Sequence, residues 1–232
     1  MPLTTISPRR SLTSYAKVQT WVGRVIRNRR FQLRRPRVQQ LRYLDVGCGR
    51  NPHENFINLD YLWHPAVDVC WDITTGLPFA DGSMQAVFSE HCLEHFPLPQ
   101  AQQNLSEIRR VLAPGGRVRI VVPDGELYLR TYHAQMSGHP LPQFPYQATE
   151  ATAELWCPMM SVNRIFYQDR ESLFGHRTIF DFRLLRLLLE KCGFVDVTRC
   201  DFRQSGDPQL AIDSPGRQVE SLYVEATVPF SR

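Results

Sequence analysis

Leu44-Asp45-Val46-Gly47-Cys48-Gly49 joins a short apolar run to a glycine turn. The apolar run at residues 42–46 predicts a buried strand, and the two glycines after it let the chain turn sharply and approach a ligand closely. A dinucleotide-binding fingerprint would have a third glycine where this chain has Pro52. The stretch therefore predicts a ligand site at a strand end, and it argues against a nicotinamide oxidoreductase that holds pyrophosphate.

The rest of the sequence alternates between predicted strands and helices. Further strands are predicted at residues 56–59, 67–71, 86–89, 118–122, 194–197 and 222–228. Apolar faces predict one helix over 99–112, stopped by Pro114-Gly115-Gly116, and another over 182–192, closed by Gly193 in a left-handed cap. This alternation predicts a mostly parallel sheet with helices on both sides, whose ligands bind beyond the carboxyl ends of the strands.

Acidic residues stand at the ends of the first three predicted strands. They are Asp45, Asp60 and Asp72. A carboxylate at Asp60 can accept hydrogen bonds from two ribose hydroxyls, and one at Asp72 can accept from the exocyclic amine of adenine. Together the three acids predict an adenosine ligand.

Five segments, in this order along the chain, carry a family resemblance: LDVGCG (44–49), INLD (57–60), WDIT (71–74), LPFADGSMQAVFSEHCLEHF (77–96) and LAPGG (112–116). Together they resemble class I S-adenosylmethionine (SAM)-dependent methyltransferases of the type-11 group. The resemblance is strong over residues 41–122 and looser over the last helix and strands. It implies a Rossmann-like, seven-stranded, mostly parallel sheet of order 3-2-1-4-5-7-6 with the last strand antiparallel.

The same resemblance implies which residues meet the cofactor, SAM, and its product S-adenosylhomocysteine. The methionine part would lie against Asp45 and the glycine turn, the ribose against Asp60, the adenine beside Asp72, and the methyl-transfer face at residues 89–91. The expected cofactor-binding residues are Asp45, Gly47, Cys48, Gly49, Asp60, Tyr61, Asp72, Ile73, Ser89 and Glu90.

Two features depart from the family pattern. The family's first motif usually has a further glycine at the position of Asn51, and asparagine tolerates left-handed backbone angles better than most residues. Only residues 47–55 separate the first two strands, whereas a parallel crossover normally takes a dozen or more residues. We therefore expect the first crossover helix to be reduced to about one turn or lost, and the N-terminal helix to fill the gap.

Methyl transfer from SAM needs an aligned acceptor atom and a site that excludes water. A hydroxyl or protonated amine acceptor also needs a base, for which His91 is the candidate, with hydrogen bonding inside its loop as the alternative role. Asp124 is a candidate for orienting the substrate or for capping the helix that follows it. We assign substrate contacts to Tyr128, His133 and His176, with an ordinary surface position as the alternative for either histidine.

Residues 123–177 interrupt the alternation and are rich in proline and aromatic residues. We expect a partly helical lid here, inserted after the fifth strand, with an edge cover of the sheet as the alternative. The predicted organisation is a basic helical segment at 1–40 and a methyltransferase domain at 41–232 that contains the lid.

An aromatic lid favours a concave, mostly apolar pocket for a small-molecule or glycan acceptor. Ser89-Glu90-His91-Cys92 also lacks the N/D-P-P-Y signature of many nucleic-acid methyltransferases, so no DNA partner is expected. A non-catalytic binding module of the same fold, and methyl transfer to RNA or protein, are the alternatives.

Positive charge is concentrated at the N-terminus. The formal charge is +4, and the first 44 residues contain ten Arg, one Lys and no acid. Apolar residues at helical spacing in this segment predict a basic amphipathic helix: Val18, Trp21, Val22, Val25 and Ile26. Such a helix either docks on an anionic surface, such as phospholipid, RNA or an acidic partner, or packs on its own domain with solvated arginines, which we favour.

The segment from His91 to His95 also spells H-x-x-E-H, the inverted zinc-peptidase motif. Pro97 curtails any helix soon after His95, and no distant Glu is marked as a third ligand, so we expect no metal site. The six cysteines form no C-x-x-C pair. No apolar run is long enough to cross a bilayer and no signal-peptide pattern is present, so we expect a cytoplasmic protein.

Overall fold

The computed structural model describes residues 14–139, 158–167 and 175–230. At its centre is a seven-stranded sheet of order β3-β2-β1-β4-β5-β7-β6. The strands are β1 (Tyr43–Val46), β2 (Ile57–Asp60), β3 (Val69–Cys70), β4 (Met84–Glu90), β5 (Leu112–Pro123), β6 (Val195–Cys200) and β7 (Ser221–Thr227). Strands β1 to β5 pair in parallel, and β7 runs antiparallel to both of its neighbours. The fold class and sheet order predicted from the sequence are confirmed.

Helices cover this sheet. They are α1 (Ser14–Ile26), α2 (Pro36–Gln40), α3 (Leu98–Val111), α4 (Gly125–Met136), α5 (Pro158–Tyr167) and α6 (Phe182–Lys191). The Asp181 side chain caps α6 by accepting from the Leu184 amide at 2.7 Å, and Gly193 closes it with the predicted left-handed φ of 86°. Among the described helices, none has the length and apolar character needed to span a bilayer.

The end of α3 differs from the prediction. The Pro114-Gly115-Gly116 stretch was expected to stop the helix, but α3 ends at Val111 and these residues already belong to β5. Gly116 pairs with the last strand, because its carbonyl accepts from the Val228 amide at 2.8 Å. The fifth strand is therefore longer than its apolar run, since backbone pairing continues through residues that the hydrophobic pattern does not mark.

The connection between β1 and β2 contains no helix. Residues 47–56, all of which are described, form only turns and extended chain, so the predicted loss of the crossover helix is confirmed. Arg37 holds this connection from the N-terminal side. Its Nη2 atom donates hydrogen bonds to the carbonyl groups of His53, Glu54 and Phe56.

The N-terminal segment also packs beside this connection. Ile26, at the end of α1, packs against a small buried cluster formed by Cys48, Val67 and Cys70. The buried Gln32 side chain accepts from the Cys70 amide at 2.8 Å and donates to the Cys70 carbonyl at 3.3 Å. The N-terminal segment therefore packs beside the short connection, on the side where the N-terminal helix was expected to fill the gap.

An ion cluster on β5 fixes the connection between β6 and β7. Arg119 is fully buried; its Nε and Nη2 donate to the two oxygens of Asp213 at 2.8 and 2.6 Å, and its Nη1 donates to Glu225 at 3.0 Å. Its remaining bonds go to the backbone carbonyls of Asp201 and Gln204. Because Asp213 lies between β6 and β7, this cluster holds that connection against the sheet.

We expect Arg119→Met to lower the free energy of unfolding by about 3–5 kcal/mol, because it leaves Asp213 and Glu225 buried without a cation. Urea unfolding followed by circular dichroism measures the loss. Arg186→Met is the matched control, since its ion pair with Glu190 is exposed and worth under about 1 kcal/mol. Similar losses in both variants would mean that the buried cluster does not stabilise the fold.

Candidate functional site

The glycine turn after β1 forms the floor of the site. Gly47 has φ of 79°, and its amide donates to the Leu59 carbonyl at 2.8 Å. A Cβ on Gly47 would lie 2.6 Å from Sγ of Cys92, so no larger residue fits without movement. Gly49 has φ of 54° and its carbonyl is bound by Nε2 of His64. The turn after β1 and the segment that contains Cys92 therefore lie closer together than a side chain at position 47 would allow.

Asn51 stands where the family usually has a further glycine, but its backbone is not in the left-handed conformation. Among the described residues other than glycine, positive φ occurs at Asn28, His91, Asp196 and Arg203, and Asn51 is not one of them. The tolerance of Asn51 for such angles is therefore not what preserves the loop. Its side chain instead donates to Ser214 Oγ at 3.4 Å, which joins the loop to the connection between β6 and β7.

A first cavity of about 390 Å³ opens beside the turn, at the carboxyl ends of β1 to β4. Its walls are largely apolar, and two carboxylates, Asp60 and Asp72, stand among them. The lining residues are Gly47, Gly49, Leu59, Asp60, Tyr61, Leu62, Trp71, Asp72, Ile73, Thr74, His91, Cys92, His95 and Phe96. An apolar slot with a few placed polar groups suits a flat aromatic base and a sugar.

Asp60 is held in place by backbone amides. Its Oδ2 accepts from Gly49 at 2.9 Å and its Oδ1 from Leu62 at 2.7 Å. Burial raises the pKa of Asp60, and these two bonds oppose that rise. A carboxylate has about four acceptor positions, so two remain for ribose hydroxyls.

Asp72 caps the short turn Ile73–Thr75. Its Oδ1 accepts from the Thr74 amide at 3.0 Å and from Thr74 Oγ1 at 2.7 Å. No described residue donates to its Oδ2. The Asp72 amide donates to Oδ1 of Asn28 at 2.8 Å, so a residue two positions beyond the end of α1 orients this end of the cavity. Asn28 was not among the residues predicted from the sequence.

A second cavity of about 300 Å³ adjoins the first and shares Gly47, Gly49 and His91 with it. It is the more polar of the two. Its lining is Asp45, Gly47, Cys48, Gly49, Arg50, Asn51, His53, Phe88, Glu90, His91 and Arg217. Of the cofactor residues predicted from the sequence, every one except Ser89 therefore lines one of these two cavities.

Asp45 is the unusual group in the second cavity. It is 2% exposed, and no described residue donates a hydrogen bond to its carboxyl group. Burial raises the pKa of Asp45 well above its usual value, and the nearby Glu90 and Asp60 raise it further. A buried carboxyl group without a protein partner favours a cationic ligand.

The connection between β6 and β7 closes the second cavity. Both oxygens of Glu90 are bound by Ser214, from its amide at 2.9 Å and from its hydroxyl at 2.5 Å. Arg217 follows on the same connection and lines the cavity. The sequence carried no signal for Ser214 or Arg217, because the segment has no strand-end motif and lies far along the chain from β4.

His91 occupies the junction of the two cavities with φ of 48°, a backbone angle that only a constrained residue adopts. Its Nε2 is hydrogen-bonded to Ser221 Oγ at 2.8 Å, and its Nδ1 lies 3.5 Å from Oε1 of Glu94. Burial is the main cause that lowers the pKa of His91 to about 2, and Arg217 adds to it. With Nε2 bound to Ser221 and the ring buried, the geometry favours the hydrogen-bonding role over that of a base.

Asp124 lies outside both cavity linings. Its Oδ1 accepts from the Leu127 amide at 3.2 Å, which caps α4, and its Oδ2 pairs with Arg199 at 2.5 Å. Burial raises the pKa of Asp124. The sequence suggested two roles for Asp124, orienting the substrate or capping a helix. The structure shows the helix cap, because the carboxylate accepts a hydrogen bond from the first turn of α4.

Ser89, Tyr128 and His133 also lie away from the cavities. The Ser89 hydroxyl donates to the Val46 carbonyl at 3.0 Å, between two strands. Tyr128 is buried and its hydroxyl donates to Glu220 at 3.1 Å. His133 is exposed in the last turn of α4. None of the three lines either cavity, so the structure gives no support to the cofactor contact predicted for Ser89 or to the substrate contacts predicted for Tyr128 and His133.

Only parts of the predicted lid at 123–177 are described. Within it, α4 packs against α5. Residues 140–157 and 168–174 lie outside the described residues, so a lid over the site stays a prediction.

His176, the third predicted substrate residue, belongs to a cluster behind the first cavity. Its ring lies 5.3 Å from that of His95, and its Nδ1 is hydrogen-bonded to the Ile165 carbonyl at 2.6 Å. Burial raises the pKa of the adjacent Glu94 to about 8 and lowers that of His95 to about 4. The sequence marked Glu94 and His95 only as part of the peptidase motif.

The family model described as a methyltransferase domain, type 11, matches residues 51–120. No curated protein sequence matches the chain. Among solved structures, a SAM-dependent methyltransferase from Methanosarcina mazei is similar at 16% identity and a TM-score of 0.49, over 82% of this chain and 92% of that one. Another, from Thermotoga maritima, is similar at 15% identity and a TM-score of 0.47, over 80% and 81%.

The matched segment runs from the loop after β1, through β2, β3, β4 and α3, to β5, and so carries most of the first cavity. The sheet order around it is the one that the family resemblance implied. Residues 51–120 are therefore similar to the type-11 methyltransferase domain, and the sheet that surrounds them has the Rossmann-like order β3-β2-β1-β4-β5-β7-β6.

Proposed function

We propose that this chain binds SAM across its two joined cavities and transfers the methyl group to a hydroxyl or amine of a small-molecule or glycan acceptor. The observation that carries the proposal is the placement of Asp60 and Asp72 in one cavity and of Asp45 in the other, with the glycine turn between them. SAM has an adenosyl part and a charged methionine part that match this division.

The first cavity fits the adenosyl part. Trp71 and Ile73 offer apolar walls for the base, and the free Oδ2 of Asp72 suits its exocyclic amine. Asp60 would accept from the ribose hydroxyls. The Trp71 indole donates to the Gly76 carbonyl at 2.8 Å, so this wall is already fixed before a ligand enters.

The second cavity fits the methionine part. The unpartnered Asp45 carboxyl group would pair with the ammonium group, which would favour the ionised form of Asp45. Arg217 supplies positive charge at the same cavity for the carboxylate. Because Ser214 holds Glu90 in place, the polar end of the site is preformed.

When bound, SAM supplies an electrophilic methyl group on a sulfonium. The chain's own residues then have to align the acceptor and exclude water, which supplies most of the rate in such a reaction. The Gly47 and Gly49 turn lets the backbone approach the ligand closely. His91 holds the junction of the two cavities rigid through its bond to Ser221.

We expect Asp60→Asn to weaken SAM binding about 10- to 100-fold, because one acceptor oxygen becomes an amide donor and a charge-assisted pair of hydrogen bonds is lost. Calorimetric titration measures the affinity, and labelled SAM with fractionated extract measures methyl transfer. Asp201→Asn is the matched control, since Asp201 is exposed and lines neither cavity.

Three results would count against the proposal. Unchanged SAM affinity in Asp60→Asn would remove the assigned ribose site. SAM binding by the unaltered chain without methyl incorporation into any fraction would indicate a binding module. Incorporation only into RNA or protein fractions would replace the acceptor class.

We also expect Gly47→Ala to reduce SAM affinity strongly, because the new Cβ meets Cys92 as well as a positive φ. Gly138→Ala is the matched control, since Gly138 has φ of 71° but nothing within 4 Å of the added atom. Both glycines have positive φ, so only the contact with Cys92 distinguishes the two variants. Calorimetric titration and thermal unfolding of both therefore separate the effect of backbone strain from the effect of that contact. Equal SAM affinity in the two variants would contradict the assigned turn.

A further inference from the structure

Three potential metal ligands converge behind the first cavity. Glu94 and His95 lie on the short turn Leu93–His95 after β4, and His176 lies between α5 and α6. Their ligand atoms all lie within 4.8 Å of one another. The His95 Nε2 atom lies 3.9 Å from Oε1 of Glu94.

Glu94 is the second observation that points to a ligand here. Its side chain is 1% exposed, and neither carboxylate oxygen accepts a hydrogen bond from the described residues. A buried carboxylate in this state is unfavourable unless it is paired or coordinates a metal. The nearest candidate donor is Nδ1 of His91, which at 3.5 Å is too distant for a good hydrogen bond.

His176 is arranged as a metal-binding histidine usually is. Its Nδ1 lies 2.6 Å from the Ile165 carbonyl, and a carbonyl can only accept, so Nδ1 carries the proton. Nε2 is then the nitrogen with a free lone pair. Histidines that bind metals commonly donate their other ring N–H to a carbonyl or carboxylate in this way, which fixes the tautomer.

We propose that Glu94, His95 and His176 bind one divalent transition-metal ion, with zinc the first choice. Two imidazoles and one carboxylate, with water as the fourth ligand, are an established zinc ligand set, and the same groups also suit ferrous iron. Because His95 lines the first cavity as well, the site adjoins the space where SAM and an acceptor would meet.

This site is not the peptidase motif that the sequence spells. That motif needs both of its histidines on one helical face, but only Leu93–His95 form a helical turn and His91 is bound to Ser221. The expectation of no metal rested on Pro97, which curtails the helix that the motif needs, and on the lack of a third ligand. The tertiary structure supplies one from His176, which no local pattern connects to the motif.

The test starts with chelator-treated full-length protein dialysed against zinc alone, with the metal measured by mass spectrometry. We expect one zinc per chain, a higher thermal midpoint with zinc than with chelator, and visible absorption bands when cobalt replaces zinc. Glu94→Gln and His176→Ala should each weaken zinc binding at least about tenfold, since each removes a ligand. Glu190→Gln and His133→Ala are exposed controls and should bind as the unaltered chain does.

Substoichiometric zinc on the unaltered chain, with no thermal shift and no cobalt bands, would overturn the proposal even if the ligand variants do not fold. Zinc retained equally by both ligand variants would mean an adventitious ion only. SAM affinity is measured separately, so failure of the metal site and failure of the methyltransferase proposal are distinguishable.

A different observation concerns α1, which has two apolar faces. Gly23 is buried and Ile26 packs on the domain. On another face, Val18, Trp21 and Val25 are 56%, 66% and 50% exposed. Their spacing places them along one stripe of the helix, which no described residue covers.

The arginines around this stripe divide into two groups. Arg27, Arg35 and Arg37 bind the chain's own backbone. Exposed arginines make up the second group: Arg24, Arg29, Arg30 and Arg34. With no acidic residue in the first 44, the exposed group gives the stripe a strongly positive border.

We infer that this face binds an anionic phospholipid surface. Arginines alone would suffice for RNA, whereas an exposed tryptophan and two valines bordered by arginines fit a helix lying in the membrane interface. Since α1 runs only from Ser14 to Ile26, it would lie on the bilayer and not cross it.

Sedimentation with vesicles of phosphatidylcholine, with and without phosphatidylglycerol, tests this. We expect binding only to the anionic vesicles, a steep fall with added salt, and at least about a fivefold loss in Trp21→Ser. Leu187→Ser, exposed on α6, is the matched control. Equal binding by Trp21→Ser, no preference for anionic vesicles, or tighter binding to RNA would overturn the inference.

Discussion

The short connection between β1 and β2 is the constraint on which the rest of the site depends. Without a crossover helix, residues 47–56 have to be held by side chains from elsewhere. Asp60 binds the Gly49 amide at 2.9 Å, and Asn58 accepts from the His53 amide at 2.7 Å. Arg37 adds hydrogen bonds to three carbonyl groups of the same stretch. A carboxylate expected to bind ribose is thus also part of what shapes the loop.

At the opposite side of the site, a loop without long helices is again held by side chains from other parts of the chain. Arg119 and Asp213, both fully buried, hold the connection between β6 and β7, and the next residue, Ser214, binds Glu90. The polar cavity is therefore completed by a segment whose position depends on an ion pair in the core. The residue that anchors the core, Asp213, and the residue that closes the polar cavity, Ser214, are neighbours on a connection whose helices are only the short 3-10 turns Pro208–Leu210 and Pro215–Arg217.

The structure brings the acids of the strand-end motifs to the two cavities, and their contacts with a cofactor stay a prediction. Asp45, Asp60, Asp72 and Glu90 all line the cavities. Ser89 does not, because successive side chains of a strand point to opposite faces and its hydroxyl is taken up by Val46. Asp124 was placed at the right edge of the sheet but caps a helix there. Motif position predicts the edge where a residue lies, and it does not predict which neighbour takes its hydrogen bonds.

Residue type and spacing within a few neighbours were enough to predict the glycine turn, the lost crossover helix and the acids at the strand ends, whereas the sheet order was implied by the family resemblance of the motifs. Only the tertiary structure decided that Arg37 holds the turn, that Ser214 and Arg217 close the polar cavity, and that His176 meets Glu94. These contacts join residues far apart in the chain. Their formation depends on how whole elements pack against the sheet, which local periodicity does not encode.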